Sequence, residues 1–374
     1  MHSHEPYTMK PADISRDHPH LIMAPFKGLT TKAYRNGHAR WFGGLDKHLA
    51  PFVSGTGTRV INPSKLSDFL PVEANHCETI PQIISTSAEE IILFAKTMRD
   101  HGCDHINWNL GCPFPRIAIK KRGCGLLPYP GEIDAILGKV MPDIPLELSV
   151  KTRLGFRDPA EIDPVLRIFN QYPLKEITIH PRIGTQVYRG EVNLQGFASC
   201  LEISKHPLIY NGDLFNLGQY RKLSEAFPQI RTWMPGRGLL INPFLALEIK
   251  GIHLPDAGKR ERIRAFHQEL LLQTGSSPSD GNIPGATPTG ELNHRPSPSD
   301  ERKRLGFLKN IWYYMAGCFA DGEKLFSDIK TVNNPETFRH KLHEWVSGPF
   351  ATDEQIEAYF RHAIKHIGKD PADC

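Results

Sequence analysis

Short apolar runs along the first two thirds of the chain each stop at a polar residue, and this pattern predicts parallel strands. Eight runs qualify, at residues 21–24, 49–53, 79–84, 105–108, 146–150, 176–179, 208–210 and 231–235. Stretches with helical periodicity separate them, at residues 88–101, 132–140, 159–171, 196–205 and 217–227. Strands that alternate with helices in this way over about 230 residues predict a (β/α)8 TIM barrel.

A doubly wound open sheet is the competing fold, but that fold places its glycine-rich turn after the first strand. In this chain the glycine-rich turns, residues 211–213 and 236–238, follow the last two strands. Loops at that place in a TIM barrel often bind a phosphate through backbone N–H groups and a nearby cation. The position of the turns therefore favours the barrel and a phosphate-bearing cofactor, although each turn alone could be an ordinary tight turn.

Polar residues that end parallel strands converge on one face of a barrel. Cys112, Lys151, His180, Asn211 and Arg237 occupy such positions, and we expect them to share one site. A lone cysteine is more often a buried core residue than a reactive one. The glycine before this cysteine and the proline after it favour a loop instead.

The chain changes character after about residue 250, where helical patterning continues without strand signals. The predicted helices are residues 259–273, 302–319, 335–346 and 353–367. We therefore divide the chain into a barrel at 19–252 and an all-α C-terminal domain at 253–374. Residues 275–300 contain five prolines and four glycines and predict a disordered insertion, and the polar residues 1–18 predict a flexible terminus.

Six short motifs occur in order between about residues 20 and 250. They are Met23-Ala24-Pro25; Asn109-Leu110-Gly111-Cys112-Pro113; Val150-Lys151-Thr152-Arg153-Leu154-Gly155; His180-Pro181-Arg182 with Gln186 and Tyr188; Asn211-Gly212-Asp213; and Gly236-Arg237-Gly238 with Asn242-Pro243. With these motifs in this order, the chain resembles the tRNA-dihydrouridine synthases, which are flavin enzymes that reduce selected uridines in tRNA. The chain departs from the family pattern at Phe26, Asn107 and Pro235, where the family usually has methionine, an acidic residue and an aliphatic residue.

The resemblance implies a site that binds FMN at the strand ends, takes electrons from NADPH and uses Cys112 as the general acid. The residues it implies for FMN binding are Pro25, Phe26, Lys27, Gln82, Lys151, His180, Asn211, Gly212, Asp213, Gly236 and Arg237. The residues it implies near RNA are Asn109, Arg153 and Arg182.

The chemistry of uridine reduction requires groups of these types. Reduction of the C5–C6 bond needs a hydride on one face of the base and a proton from the other, so a positioned acid is required. Most thiols are protonated at neutral pH, which suits proton donation. A lysine beside the flavin would stabilise the negative charge of the reduced ring. Without this context, His180 would be a structural histidine and Lys151 a solvated charge.

The net charge is only +4, so an RNA partner is indicated by local clusters of cations and not by overall charge. Basic residues follow several strand ends, at Lys120, Lys121, Arg122, Arg157 and Arg189. The C-terminal domain adds Arg302, Lys303, Arg304, Lys309, Arg339 and Lys341. These positions predict a tRNA partner, with a uridine turned out of its stack into the pocket.

Seven cysteines without regular spacing, and the lack of a long apolar run or a hydrophobic signal segment, favour a cytoplasmic protein with no metal site. We expect a monomer. Two other functions remain open at this point: a flavin barrel enzyme acting on a small pyrimidine or enone, and a catalytically silent RNA-binding protein. The first would not need the helical domain, and the second would not need Cys112.

Overall fold

The computed structural model describes residues 18–57, 59–273 and 298–367. The predicted flexible terminus and most of the predicted insertion lie outside these ranges. The predicted insertion extends to residue 300, but a described helix already begins at Pro298. The strands are β1 (His20–Met23), β2 (Lys47–Leu49), β3 (Glu78–Ile80), β4 (Gln82–Ile83), β5 (His105–Leu110), β6 (Glu147–Gly155), β7 (Ile177–Ile183), β8 (Leu208–Tyr210) and β9 (Thr232–Trp233).

The strands form one parallel sheet in the order β3-β2-β1-β9-β8-β7-β6-β5-β4. Strands β3 and β4 are consecutive in the chain and are separated only by Pro81, so the two edges of the sheet meet and close a barrel. The interruption is local because proline lacks a backbone N–H, while the Pro81 carbonyl still accepts a 2.9 Å hydrogen bond from the backbone N–H of Asn107. The predicted eight-stranded barrel is confirmed, with its third strand divided at the proline.

Helices follow most of the strands and continue beyond the barrel. They are α1 (Lys32–Trp41), α2 (Ala88–Asp100), α3 (Pro115–Ala118), α4 (Pro130–Val140), α5 (Ile162–Phe169), α6 (Leu194–Ile203), α7 (Leu217–Ala226), α8 (Arg237–Ile241), α9 (Leu245–Ile249), α10 (Asp256–Gln273), α11 (Pro298–Met315), α12 (Gly322–Thr331), α13 (Pro335–Trp345) and α14 (Asp353–Ile367). Several begin at a side chain that accepts a hydrogen bond from a backbone N–H of the first turn, at Thr31, Ser87, Asn193, Asn216 and Asn334.

The sequence pattern does not predict helices α1, α3, α8, α9 and α12. Helix α1 shows why, because part of the surface that it buries is polar. Arg35 on α1 is fully buried, and its guanidinium forms a 2.9 Å ion pair with Asp68 and a 2.7 Å hydrogen bond to the Thr30 carbonyl. Apolar periodicity cannot reveal a helix that is anchored by a buried charge pair.

The C-terminal helices pack on the barrel and share its hydrophobic core. Phe266 on α10 lies edge-on to Tyr34 of α1, with ring centroids 5.4 Å apart. Helices α11 and α14 both contact α8, which follows the last strand. The predicted division at residues 252 and 253 falls in the short segment between α9 and α10. None of the helices in the described part of the chain combines the length and the apolar character needed to cross a membrane.

Candidate active site

The carboxyl ends of the strands surround a cleft that holds about 1050 Å³ of empty space, counted to its open mouth. All but one of the predicted site residues line it, although they are spread over more than 200 positions of the chain. The exception is Arg182, which is fully buried and absent from the wall of the cleft.

The predicted proton donor, Cys112, lies in the wall of the cleft on a loop that we call the cysteine loop, residues 112–124. The side-chain oxygen of Asn109 accepts a 2.9 Å hydrogen bond from the backbone N–H of Cys112. At the other end of the loop, the backbone N–H and the thiol of Cys124 donate to the Cys112 carbonyl at 3.1 and 3.2 Å. Gly123 has φ +59°, and a Cβ there would lie 2.5 Å from the Cys112 carbonyl oxygen. The loop can close on itself only because this residue is glycine.

A ladder of side-chain hydrogen bonds, which we call the amide ladder, runs through the barrel interior to this loop. Asn109 donates to the Gln82 side chain at 2.9 Å, and Gln82 donates to Asn107 at 2.7 Å. Asn107 donates in turn to the Ser149 hydroxyl at 2.7 Å, and that hydroxyl lies 2.7 Å from Nε2 of His105. Each bond fixes which way round the next amide lies, so the Asn109 oxygen faces the cysteine loop. Asn107, which departs from the family pattern, is therefore matched by a hydroxyl that can accept its amide hydrogen.

Lys151 and Arg153, both on β6, place two cations beside the cysteine. Burial lowers the pKa of Lys151 to about 7, and the nearby Arg153 adds to the effect, whereas Cys112 opposes it. None of the described residues hydrogen-bonds or ion-pairs with the Lys151 ammonium group. The Arg153 guanidinium donates to the carbonyls of Gly111 and Ile183 at 2.9 and 3.1 Å. The first of these bonds ties Arg153 to the residue that precedes Cys112.

A carboxylate joins two arginines at the glycine-rich end of the cleft. Asp213 accepts hydrogen bonds from both terminal nitrogens of Arg182, one of them at 2.8 Å, and a 3.0 Å bond from Arg237. Arg182 also donates to Nε2 of His180 at 3.1 Å, so that nitrogen acts as an acceptor. Burial, together with Arg153 and the other cations, holds the pKa of His180 well below its usual range, which keeps the ring neutral.

The two glycine-rich turns lie against each other. A Cβ on Gly238 would come within 2.0 Å of the Leu214 carbonyl oxygen, so this contact between the turns requires glycine. The contact brings Arg237 next to Asp213, yet the Nη1 group of Arg237 is buried and has no partner among the described residues. A buried N–H group without an acceptor is costly, and the residue that carries it lines the cleft.

Aromatic side chains complete the walls of the cleft, and two of them come from the C-terminal helices. Tyr188 lies between Phe26 and His180, with ring centroids 6.5 and 6.2 Å away. Tyr314 on α11 and Phe360 on α14 also line the cleft. The sequence analysis does not single out these two residues, because nothing in their local sequence links them to a strand end.

The model of the dihydrouridine synthase (Dus) family matches residues 22–271, well over half of the 374-residue chain. The chain belongs to the dihydrouridine synthase family. The predicted family is thereby confirmed, and with it the predicted enzyme class, a flavin-dependent oxidoreductase that forms dihydrouridine. The match ends within α10, so α11 to α14 lie beyond it.

Curated members of the dihydrouridine synthase family are similar to the chain at low identity. A tRNA-dihydrouridine(16) synthase from Neisseria meningitidis serogroup B is 26% identical over 339 residues, which cover 87% of this chain and 94% of the relative. A tRNA-dihydrouridine synthase B from Pasteurella multocida is 27% identical over 229 residues, which cover 60% of this chain and 67% of the relative. An old yellow enzyme homologue from Zymomonas mobilis is a structural neighbour with 9% identity and a TM-score of 0.46, covering 64% of this chain and 93% of the neighbour.

Several cations of the predicted RNA-binding surface have partners within the protein. Lys121 forms a 2.5 Å ion pair with Glu132, and its ammonium group lies 4.0 Å from the centre of the Tyr129 ring. In the C-terminal part, Arg304 donates to the Leu271 carbonyl and Lys309 donates to the Lys330 carbonyl. Arg157 and Arg189 are exposed, and their contact with RNA stays a prediction.

Proposed function

We propose that the protein reduces the C5–C6 double bond of a uridine in tRNA, with FMN as its flavin, NADPH as its reductant and Cys112 as the proton donor. One observation carries the proposal. Cys112 and both glycine-rich turns open into the same cleft, so a phosphate-anchored cofactor and a proton donor would meet there. We propose that the protein acts in the cytoplasm, where it would meet both the tRNA substrate and the reductant. The predicted monomer stays a prediction.

The residues of the cleft fit FMN. Four cations, Lys27, Lys151, Arg153 and Arg237, line it against the one carboxylate of Asp213, so an anionic ligand is favoured. The unpartnered N–H of Arg237 and the two turns would hold the phosphate, while the unpartnered Lys151 and the amide ladder lie at the other end, suited to the polar edge of a ring. The bound flavin would supply the hydride for C6 of the base.

The protein itself supplies the proton and the fixed charges. The Cys112 thiol would donate a proton to C5 of the base, and the bonds from Asn109 and Cys124 keep its backbone from moving during that transfer. Lys151 would stabilise negative charge that develops beside it, and this interaction is strong because the ammonium group is poorly hydrated. Arg153 holds the backbone next to the cysteine through the Gly111 carbonyl.

The substrate must leave its stack to enter the cleft, because the reacting residues lie within the barrel mouth and not on its surface. Asn109 and Arg153 line the cleft and are placed to meet a base that enters it. Arg182 is predicted to lie near RNA, but its guanidinium is buried against Asp213 and the Gly190 carbonyl. We therefore assign Arg182 to the support of Asp213 and Arg237 and leave RNA contact to the other two residues.

We further propose position 16 of tRNA as the target. The Neisseria relative that is named for position 16 aligns with 87% of this chain, so the alignment necessarily extends into the C-terminal helices beyond the family model. Those helices carry basic residues that are predicted to contact tRNA, and we propose that they help to hold it. The alignment thus covers the region that would decide which uridine reaches the cleft.

The deciding experiment is an assay of the purified protein on unmodified tRNA with FMN and NADPH, in which mass spectrometry maps dihydrouridine by position. Dihydrouridine at position 16 supports both proposals. Product at another position overturns the target alone. Reduction of free uracil or an enone without any tRNA product would favour a small-molecule flavoenzyme.

The Cys112→Ala variant separates the proton donor from the flavin site. We expect it to retain FMN and to permit flavin reduction by NADPH, while dihydrouridine formation falls by at least about a hundredfold, the usual contribution of a general acid. Cys200→Ala is the matched control, since Cys200 is buried in α6, outside the cleft. Product formation in Cys112→Ala at the rate of that control would contradict the assignment.

A further inference from the structure

The C-terminal helices reach the glycine-rich end of the cleft. Phe360 of α14 and Tyr314 of α11 are part of its wall, on the side of Asp213 and Arg237. Both belong to the region beyond the dihydrouridine synthase match, which ends at residue 271. The barrel alone therefore leaves this end of the cleft open.

Helix α14 is attached to the segment that follows β8. The backbone carbonyl of Asp353 accepts a 3.1 Å hydrogen bond from the Asn216 side chain, and its carboxylate accepts a 3.2 Å bond from the backbone N–H of Gly218. About two turns further along α14, the ring of Phe360 packs on Phe215 with ring centroids 4.6 Å apart. These contacts fix α14 on the loop that begins with the glycine-rich turn at 211–213.

The Phe360 ring also covers a functional cation. The Arg237 guanidinium lies 4.5 Å from the centre of the Phe360 ring and 4.9 Å from that of Tyr188, so two aromatic rings flank it. Its terminal Nη2 donates a hydrogen bond to Asp213 at 3.0 Å, and the residue is left only 7% exposed. The remaining Nη1 group is buried and has no partner among the described residues. Aromatic rings attract a guanidinium by their negative faces and exclude water from it, which strengthens its hold on an anion.

We propose that the C-terminal helices complete the phosphate subsite of the flavin cleft, with Phe360 as the residue that positions Arg237. The inference rests on the proposed use of FMN and adds a role for the helical part in holding the cofactor. It follows that the helices serve the flavin as well as the tRNA.

A phosphate-specific effect distinguishes this role from general support of the fold. Riboflavin carries the same ring system as FMN but no phosphate. When the Phe360 ring is lost, Arg237 gains water and freedom of rotation, so FMN binding should weaken while riboflavin binding stays nearly unchanged. A loss of folding would weaken both ligands together.

The test uses the full-length apoprotein and measures FMN and riboflavin dissociation constants by quenching of flavin fluorescence. Phe360→Leu keeps apolar volume but removes the aromatic face, and we expect roughly tenfold weaker FMN binding with riboflavin binding changed less than about twofold. Phe360→Tyr keeps an aromatic ring at this position and should therefore bind FMN with near the wild-type affinity. Glu357→Ala is the matched control, because the Glu357 side chain lies half-buried on the same helix and its described ion pair is with Arg361.

If Phe360→Leu does not fold, Asp353→Ala provides the same comparison from an exposed position, since it removes the bond to the Gly218 N–H and loosens α14. We expect it to weaken FMN binding selectively by a smaller factor. Equal FMN affinity in wild type and in folded Phe360 variants, or equal losses for FMN and riboflavin, would overturn the inference and leave the proposed function standing. A wild-type protein that binds neither flavin would overturn both.

Discussion

At the scale of single residues, Lys151 has the most unusual environment of the site. Burial lowers its pKa to about 7, so its charge changes within the physiological pH range. The direction of the shift shows that the cleft disfavours the cation unless an anion lies beside it. A ligand that becomes negative on reduction would therefore be stabilised by Lys151, and would in turn raise the pKa of the lysine.

This coupling predicts a pH-dependent difference between wild type and Lys151→Met. Below about pH 7 the wild-type lysine is charged, so the midpoint potential of bound FMN should exceed that of the variant by about 30–60 mV, equivalent to roughly 1.4–2.8 kcal/mol. As pH rises through 7, the lysine loses its proton in the oxidised protein and the difference should narrow. Redox titrations of both proteins between pH 6 and 9 measure this gap. A constant gap over that range would show that another group supplies the charge.

At the scale of elements, the amide ladder connects β4, β5 and β6 through the barrel interior. It extends from His105 at the amino end of β5 to Asn109 near its carboxyl end, and Ser149 joins it from β6. Buried amides of this kind are costly unless each donor has an acceptor. The ladder therefore makes the orientation of Asn109, and with it the cysteine loop, depend on a hydroxyl on the next strand.

Ser149→Ala should expose this dependence. The change leaves the Asn107 amide without its acceptor, and we expect a loss of about 1–3 kcal/mol in the free energy of unfolding. We also expect slower dihydrouridine formation, because the loss of the ladder displaces Asn109 and with it the cysteine loop. Urea denaturation and steady-state kinetics measure the two effects. Ser199→Ala, an exposed serine on α6, should change neither, and a Ser149→Ala enzyme with normal stability would show that the ladder is dispensable.

The elements also show which features a sequence can reveal. The eight strands are predictable, because each strand carries its own apolar run. The polar residues at their ends are predictable for the same reason, at Cys112, Lys151, His180, Asn211 and Arg237, whereas the other predicted site residues come from the family resemblance. Helix α1 is not predictable in this way, since Arg35 inside it is matched by Asp68 far along the chain. The burial of Arg182 depends in the same manner on Asp213, and the place of Phe360 depends on packing between distant helices. Local patterns cannot report contacts that only the folded chain creates.

At the scale of the whole molecule, barrel and helices form one body with a common core. The chain leaves the described part after Gln273 of α10 and returns at Pro298 of α11. These helices meet near that break, because Arg304 of α11 donates to the Leu271 carbonyl of α10. The segment between the two helices therefore joins points that the rest of the fold already holds close together.

Replacing residues 276–296 by about eight glycine and serine residues should consequently preserve the fold, since a linker of that length spans about 26 Å. We expect the thermal midpoint to change by less than about 2 °C and FMN content to stay the same. Differential scanning fluorimetry and the flavin absorbance measure both quantities. A replacement extended through Arg304 should lower the midpoint, because it removes the contact with Leu271. A fall in the midpoint with the shorter replacement would show that the segment supports the core.

The position of Phe360 over Arg237 has a consequence for the order of events during synthesis. Strands β1 to β9 are complete by Trp233, whereas α14 begins at Asp353, more than a hundred residues after Arg237. A ribosome therefore releases the whole barrel well before the helix that covers Arg237. On the proposed role of Phe360, the nascent barrel would bind FMN more weakly than the finished chain. Tight cofactor binding would then begin only after translation has passed the last helix.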